Sequence, residues 1–373
     1  MRAVVLREPG RPVAVEDVEL DPPKANEVLV RVAAAGVCHS DVRLADGELG
    51  HGRWPIVLGH EGAGVVETVG EGVEQLTPGD HVAFSFVPAC GTCRFCVAGR
   101  PNLCEAAGAC ALAGVLMDGT SRLHSNGDVL QHGLMTACFA EQTVIAAAGA
   151  VKIPSELPLR QAALLGCGVV TGFGAVRNAA RVAPGESVCV IGCGGVGLQV
   201  IAGARLAGAA PIVAVDRSRE KLELARRRGA TDAVDASATD VVSAVHELTG
   251  GGADHAFEVV GRPDTVRLAW DSVRSGGQAT VVGLVPRHVE VSVPGIDFLS
   301  DKTLRGTYYG SGDAARELPE LAALAVAGDL DLAGVVTHTT DLDGVEGAFD
   351  RLRRGEGART IVIIDLDLAG GAP

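Results

Sequence analysis

Aromatic residues are scarce in this chain of 373: two Trp, two Tyr and eight Phe make up 3% of it, so its cores cannot be built chiefly from rings. Packing must rely on Val, Leu and Ala and, with 50 glycines, on close backbone approach. A basic stripe is also missing. The formal charge of -14 is spread along the chain, which argues against nucleic acid or an anionic membrane as the main partner and favours a small molecule. No secretory signal opens the sequence at Met1-Arg2-Ala3-Val4, so a reducing cytoplasmic setting is expected and disulfides are disfavoured. Internal repeats and low-complexity linkers are absent. The longest uncharged stretch, Ser187 to Ala204, is interrupted by Gly192, Gly194, Gly195, Gly197 and Gly203, which suits strand, turn and buried helix better than a membrane span.

Among the residues present, Cys90, Cys93, Cys96 and Cys104 form the most specific pattern. Thiolates at two-residue intervals can wrap one tetrahedral Zn²⁺, and Gly91 and Gly99 supply the backbone freedom that wrapping needs. An iron-sulfur cluster and a pair of disulfides are the alternatives. A closed four-sulfur site has no vacancy for substrate, so any chemistry must lie elsewhere.

The length favours two domains, and 47% hydrophobic composition is enough to bury substantial cores. In the first part, Ala3-Leu6, Glu27-Val32, Gly64-Val69 and Asp80-Phe86 have the branched, period-two pattern of strands in a compact barrel-like domain. From about Gly185 apolar runs (Val188-Ile191, Ile212-Val215, Ala253-Val259, Ala279-Gly283) alternate with helix-like ones (Arg219-Arg228, Asp240-Leu248). That alternation predicts an α/β layer with a parallel sheet covered on both faces. A helix over Ala314-Ala327 and a strand at Thr360-Asp365 follow, and the tail is expected to fold back onto the first domain.

Gly192, Gly194 and Gly197 set Gly-x-Gly-x-x-Gly between a strand and a helix, where Gly195 and Val196 lie in the turn and free helix amides can meet a pyrophosphate. Asp216, at the end of the next strand, can accept hydrogen bonds from both ribose hydroxyls and repels a 2′-phosphate, which favours NAD over NADP. A helix N-cap is its other reading. Lys221 can reach the ribose or be a solvated helix lysine.

Two further cysteines sit in glycine settings, Gly36-Val37-Cys38-His39-Ser40-Asp41 and Gly166-Cys167-Gly168, with Gly59-His60-Glu61-Gly62 between them. Two thiolates and an imidazole make a zinc set with an open fourth position. Spacing alone leaves buried free cysteines and a core histidine as the simpler reading.

These segments, with the cysteine quartet, Gly166-Gly174, Gly192-Gly197 and the closing Arg359-Thr360-Ile361, resemble in order and spacing the zinc-dependent medium-chain alcohol dehydrogenases over nearly the whole chain. The resemblance implies a GroES-like β-rich catalytic domain, residues 1–168 and 311–373, and a Rossmann doubly wound coenzyme domain, 169–310. It implies NAD and two zinc ions per chain: a catalytic one on Cys38, His60 and Cys167, and a structural one in the lobe at 90–104. By the same resemblance Glu61 lies behind the catalytic zinc, Asp41 orients His60, and Ser40 accepts the alcohol proton. His39 and Arg359 correspond to pyrophosphate contacts, Thr171 packs on the nicotinamide beside Val196, and Phe86 and Trp54 are walls of the substrate pocket. Each of Glu61, Ser40 and Phe86 also has an ordinary structural reading. The chain departs from the better-known relatives at Arg43, which stands where a histidine usually continues the proton route and which cannot shuttle a proton at neutral pH. His39, His51 or water are the substitutes.

The long segment between Cys104 and Glu141 is similar to that of glutathione- or mycothiol-dependent formaldehyde dehydrogenases and nicotinoprotein alcohol dehydrogenases. A primary or aromatic alcohol, or the aldehyde in reverse, is the first expectation for the substrate. An S-(hydroxymethyl) thiol adduct is second, with Arg53, Arg122 and His124 as candidate cations for its carboxylates. A zinc-free quinone-reductase relative or a non-catalytic nucleotide-binding protein is the remote alternative, and either would be expected to lack the zinc ligands. Relatives associate through edge strands of their coenzyme domains, so a homodimer is expected first and a tetramer second.

Overall fold

The computed structural model describes residues 1–49 and 53–370. They form two compact units, one of residues 1–170 and 313–373 and one of residues 171–312.

The first unit is organised around the strand Glu27–Val37, whose even-numbered Val28, Val30 and Val32 are fully buried. It pairs antiparallel with Glu61–Val69, Gln142–Ala146 and Arg359–Ile363. The last pairing, which sets Thr360 against Val37 and Ile361 against Gly36, brings the chain's end back to its first third as the sequence suggests. The strand runs five residues past the expected Val32 because Ala33, Ala34, Ala35 and Gly36 are small enough to be buried between neighbours. A smaller sheet carries Arg2–Leu6, Ile56–Val57 and Asp128–His132. The core between these layers holds Val28, Val30, Leu58, Phe84, Phe139 and Phe349, each fully buried. Each such side chain contributes about 1.5–3 kcal/mol.

The second unit has a six-stranded parallel sheet ordered Asp232–Asp235, Ile212–Asp216, Val188–Ile191, Ala253–Glu258, Val273–Val281 and Thr303–Gly306. Every residue of Val188–Ile191 is buried, as an inner parallel strand requires. The sequence order reverses at this strand, which pairs with Ile212–Asp216 on one side and Ala253–Glu258 on the other. A ligand crevice belongs at the carboxyl end of such a strand. Helix Arg219–Arg228 matches its expected span, with Ser218 capping the Lys221 amide at 3.4 Å.

A helical run from Leu159 to Ala180 has no counterpart in the sequence reading. It is apolar and long enough to cross a membrane, but 78% of its most apolar window is buried inside the protein. The stretch from Ser187 to Ala204 holds a strand and most of the helix Gly195–Leu206.

Candidate active site

Cys38 stands where the strand Glu27–Val37 gives way to the helix His39–Ala45, in an extended conformation at the cap position. His60 directly precedes the strand Glu61–Val69, and Cys167 lies in the buried helical run. Three distant segments thus deliver two thiols and an imidazole to one place. Their ligand atoms all lie within 4.8 Å of one another, and all three side chains are buried.

The donors fit a zinc ion. His60 Nδ1 lies 3.0 Å from Asp41 Oδ1, while Nε2 is buried with no hydrogen-bond partner. A buried ring nitrogen left unpaired beside two thiols is costly unless a cation takes it. A hydrogen bond between the two thiols holds Cys38 far below and Cys167 far above the usual thiol range. Burial opposes charging His60, but Asp41 and Cys38 outweigh it and push the imidazole up. A dication at this point would replace the proton that the cysteines share.

Asp41 is 1% exposed and also accepts from the Gly59 amide at 3.2 Å, so it fixes both the ring and the turn that carries it. Ser40 Oγ is 3.8 Å from Cys38 Sγ, and His39 is exposed on the same turn. Arg43 pairs with Glu48 at 3.5 Å. Phe86 meets His60 edge-on, with ring centroids 5.3 Å apart at 90°. Trp54 is half-buried against the core of the first unit. His51 lies outside the described residues.

Behind the triad, Glu61 is fully buried and accepts from the Gly168 amide at 3.0 Å, while its other oxygen takes the Arg359 guanidinium. Burial raises the carboxyl of Glu61 and Arg359 opposes the rise. An added Cβ at Gly36 would come within 2.9 Å of both partners, so a side chain there would displace the pair. This partner for Arg359 lies 298 residues away in sequence, a separation that no local pattern signals.

The quartet Cys90, Cys93, Cys96 and Cys104 gathers in the same way, with all four sulfurs within 4.8 Å. Backbone amides aim into it: Cys93 donates to Cys90 Sγ at 3.4 Å and Cys90 donates to Cys104 Sγ at 3.3 Å. The Thr92 and Cys93 amides help bring the Cys90 thiol down to about 6, which suits a thiolate ligand. None of the ten cysteines is in a disulfide.

In the second unit the glycine motif follows Ile191. Gly192 has φ +97°, and a Cβ at Gly197 would lie 1.8 Å from the Gly192 oxygen, so neither position accepts a side chain. At Gly194 an added Cβ would meet nothing within 4 Å, and helix Gly195–Leu206 begins there without a side-chain cap. That open, amide-lined turn suits a pyrophosphate. Asp216 Oδ2 accepts from the Cys193 amide at 2.8 Å and Oδ1 from the Ser218 amide at 2.9 Å. Each oxygen keeps a lone pair for a ribose hydroxyl, and the helix cap is Ser218, not Asp216. Lys221 is half-buried in the first turn of that helix. Gly172 allows the helix after Thr171 to approach Val196, whose oxygen would be 2.9 Å from a Cβ at Gly172.

The chain matches two family models, the alcohol dehydrogenase GroES-like domain over residues 24–155 and the zinc-binding dehydrogenase domain over 195–327. It is 40% identical to the S-(hydroxymethyl)glutathione dehydrogenase of Escherichia coli O1:K1 / APEC, across 97% of this chain and 99% of that one. The chain belongs to the zinc-dependent medium-chain alcohol dehydrogenase family. Solved relatives include the benzyl alcohol dehydrogenase of Acinetobacter calcoaceticus, with TM-score 0.92, 32% identity and coverage of 97% and 99%. Another is a zinc-binding dehydrogenase from Sinorhizobium meliloti 1021 bound to NADP, with TM-score 0.81, 28% identity and coverage of 97% and 98%. As a member of this family the protein is an oxidoreductase that uses zinc and NAD.

This alcohol dehydrogenase also has a buried polar network that the sequence did not disclose. Arg122, expected as a cation for substrate carboxylates, is fully buried and donates to Glu27 at 2.9 and 2.5 Å and to Asp118 at 2.7 Å. His124, the second such candidate, pairs with Asp21 at 2.9 Å. Both corrections have one cause: the long segment folds onto the first unit and uses its cations as internal ties. A charge run of isolated loop residues gives no sign of partners about a hundred positions away.

Proposed function

We propose that this enzyme oxidises primary or aromatic alcohols to aldehydes with NAD, and runs the reverse reaction, at the site built by Cys38, His60 and Cys167. The observation that carries the reading is the buried three-donor set whose His60 Nε2 has no partner while Nδ1 is held by Asp41. Three ligands leave zinc a vacant position, as catalytic sites do. When bound, zinc would supply Lewis acidity at the alcohol oxygen and NAD a hydride acceptor.

The chain's own residues supply the rest. Asp41 fixes the His60 tautomer so that Nε2 points at the metal position. Phe86, edge-on to His60, keeps one side of the reacting carbon apolar and dry. Ser40 takes the alcohol proton, and water or the exposed His39 carries it outward, since Arg43 is engaged by Glu48 and holds its proton. Glu61 waits behind the metal position with its charge balanced by Arg359. The glycine turn binds the pyrophosphate, and Asp216 favours NAD over NADP by repelling a 2′-phosphate.

An S-(hydroxymethyl) thiol adduct is the second reading, favoured by the name of the 40% identical relative. Arg122 and His124 are committed to internal partners, so of the three candidate cations Arg53 alone stays exposed, and that supports the simple alcohol first. Nicotinamide absorbance across an alcohol and aldehyde panel, with and without glutathione or mycothiol, tests both. Formaldehyde oxidation only in the presence of thiol would make the adduct the substrate.

A homodimer is proposed on the edge strand Thr303–Gly306, which pairs on one side only among the described residues, and on the exposed Ile296, Phe298 and Leu299 near it in sequence. Sedimentation velocity tests it. A cytoplasmic setting is proposed on ten cysteines without a disulfide.

A further inference from the structure

His60 is carried by a turn with no slack. Gly59, the residue before it, has φ +95°, and an added Cβ there would lie 2.5 Å from the Phe139 amide nitrogen. The Gly59 amide donates at 3.2 Å to Asp41 Oδ1, the oxygen that also faces His60 Nδ1. The Gly59 carbonyl belongs to the peptide plane that leads into His60. It accepts from the Thr136 hydroxyl at 2.8 Å and from the Cys138 amide at 3.0 Å, which uses both of its lone pairs. The plane cannot turn without breaking one of these two bonds. A second acceptor lies within reach of the hydroxyl, the Gly133 oxygen at 3.3 Å, but that oxygen already takes the Thr136 and Ala137 amides at 3.1 Å each. The shorter contact, to Gly59, is therefore where the proton goes.

The segment that delivers Thr136 is strained. Leu134, Met135 and Ala137 all have positive φ, and Met135, Thr136 and Ala137 are all buried. Left-handed backbone is costly at residues other than glycine, persists only where the surroundings fix it, and gathers at functional sites. Two fixing contacts stand on either side. A Cβ at Gly133 would lie 2.5 Å from the Val57 oxygen, and Thr143, in the strand Gln142–Ala146, donates from Oγ1 to the Thr136 oxygen. The left-handed turns thus bring a buried hydroxyl to the peptide that carries His60.

We propose that Thr136 is a positioning residue for the metal site: its hydroxyl fixes the carbonyl before His60 and so aims the imidazole at the point where Cys38 and Cys167 meet. The inference rests on the zinc-site reading and adds to it a residue that acts through Gly59.

Stepwise titration of the zinc-loaded protein with a chromogenic chelator is the test, with Cys38→Ala marking which release step belongs to the cysteine lobe. Thr136→Val keeps the shape without the hydroxyl, and Thr136→Ser keeps the hydroxyl without the methyl group. In Thr136→Val, affinity at the catalytic position should fall by about three- to tenfold, less than the loss of a partner on the ring itself gives, while affinity at the lobe stays unchanged. Thr136→Ser should remain within about twofold of the unmodified protein. With cobalt in place of zinc, the ligand-field bands of the catalytic position should shift in Thr136→Val and not in Thr136→Ser. A packing role alone would move the urea midpoint and leave affinity and bands where they are. Unchanged affinity in Thr136→Val, equal loss at both zinc positions, or a loss in Thr136→Ser as large as in Thr136→Val overturns the proposal. If Thr136→Val does not fold, Thr136→Ala takes its place with the same expected loss, and unchanged affinity there overturns the proposal equally. Thr136-dependent zinc affinity without turnover of any alcohol would leave the positioning role standing and remove the proposed activity, whereas a single zinc in the unmodified chain would remove both.

Discussion

Asp41 Oδ1 lies 3.0 Å from His60 Nδ1, and that one contact decides which ring nitrogen is free to bind metal. Asp41→Asn keeps the shape but removes the charge that favours an N–H at Nδ1. It should lower catalytic zinc affinity by about 10–100-fold. Competition against a chromogenic chelator measures this, and an unchanged affinity would mean that Asp41 serves only the Gly59 turn.

The two cysteine sites should respond differently to the loss of one thiol. Cys93→Ala opens a closed lobe that lies on the surface and has no reacting centre, so its main effect is a lower melting temperature, on the order of 10 °C, or failed assembly. Cys38→Ala removes one of the three buried donors proposed to hold the catalytic zinc and should abolish turnover in a protein that still folds. A folded, stable and inactive Cys93→Ala enzyme would reverse the two assignments.

Asp216 holds the glycine turn through the Cys193 amide, and in the proposed coenzyme site it is the ribose acceptor. Asp216→Asn retains an acceptor oxygen while losing the charge. Loss of charge-assisted hydrogen bonds to the ribose should lower kcat/KM for NAD by about 10–100-fold, with NADP losing far less or gaining. Parallel loss for both coenzymes would confine Asp216 to a structural role.

His132 is fully buried, and burial together with the neighbouring Arg122 brings its imidazole down to about 3. Nε2 accepts from the Arg122 amide at 3.2 Å, which assigns the proton to Nδ1. The unfolded ring takes up a proton below about 6.5, whereas the folded one does so only near 3. The contribution of His132 is therefore complete above about 6.5 and is lost as pH falls toward 3, by up to about 1.4 kcal/mol per pH unit. Urea midpoints between pH 7 and 5 should fall more for the unmodified protein than for His132→Phe, and parallel curves would contradict this.

Local spacing made some parts of this molecule legible and hid others. The quartet, the glycine motif and the strand Val188–Ile191 are short-range patterns, readable because their chemistry is complete within a few residues. Cys38, His60 and Cys167 became a site only through family resemblance, since no periodicity links positions that far apart. The Glu61–Arg359 and Glu27–Arg122 pairs join residues 298 and 95 positions apart, and a buried cation reads in sequence like a solvated one. The helical run Leu159–Ala180 carries only Arg160 and Arg177 as charges, one near each end, so no polar stripe marks an outer face along its middle.

Zinc content with alcohol-dependent NAD reduction, measured together on the unmodified protein and on Cys167→Ala, tests the central claim most directly. Two zinc ions per chain in the former, and one zinc with no turnover in the latter, are the predicted results. One zinc in the unmodified chain with undisturbed activity in Cys167→Ala would contradict the account.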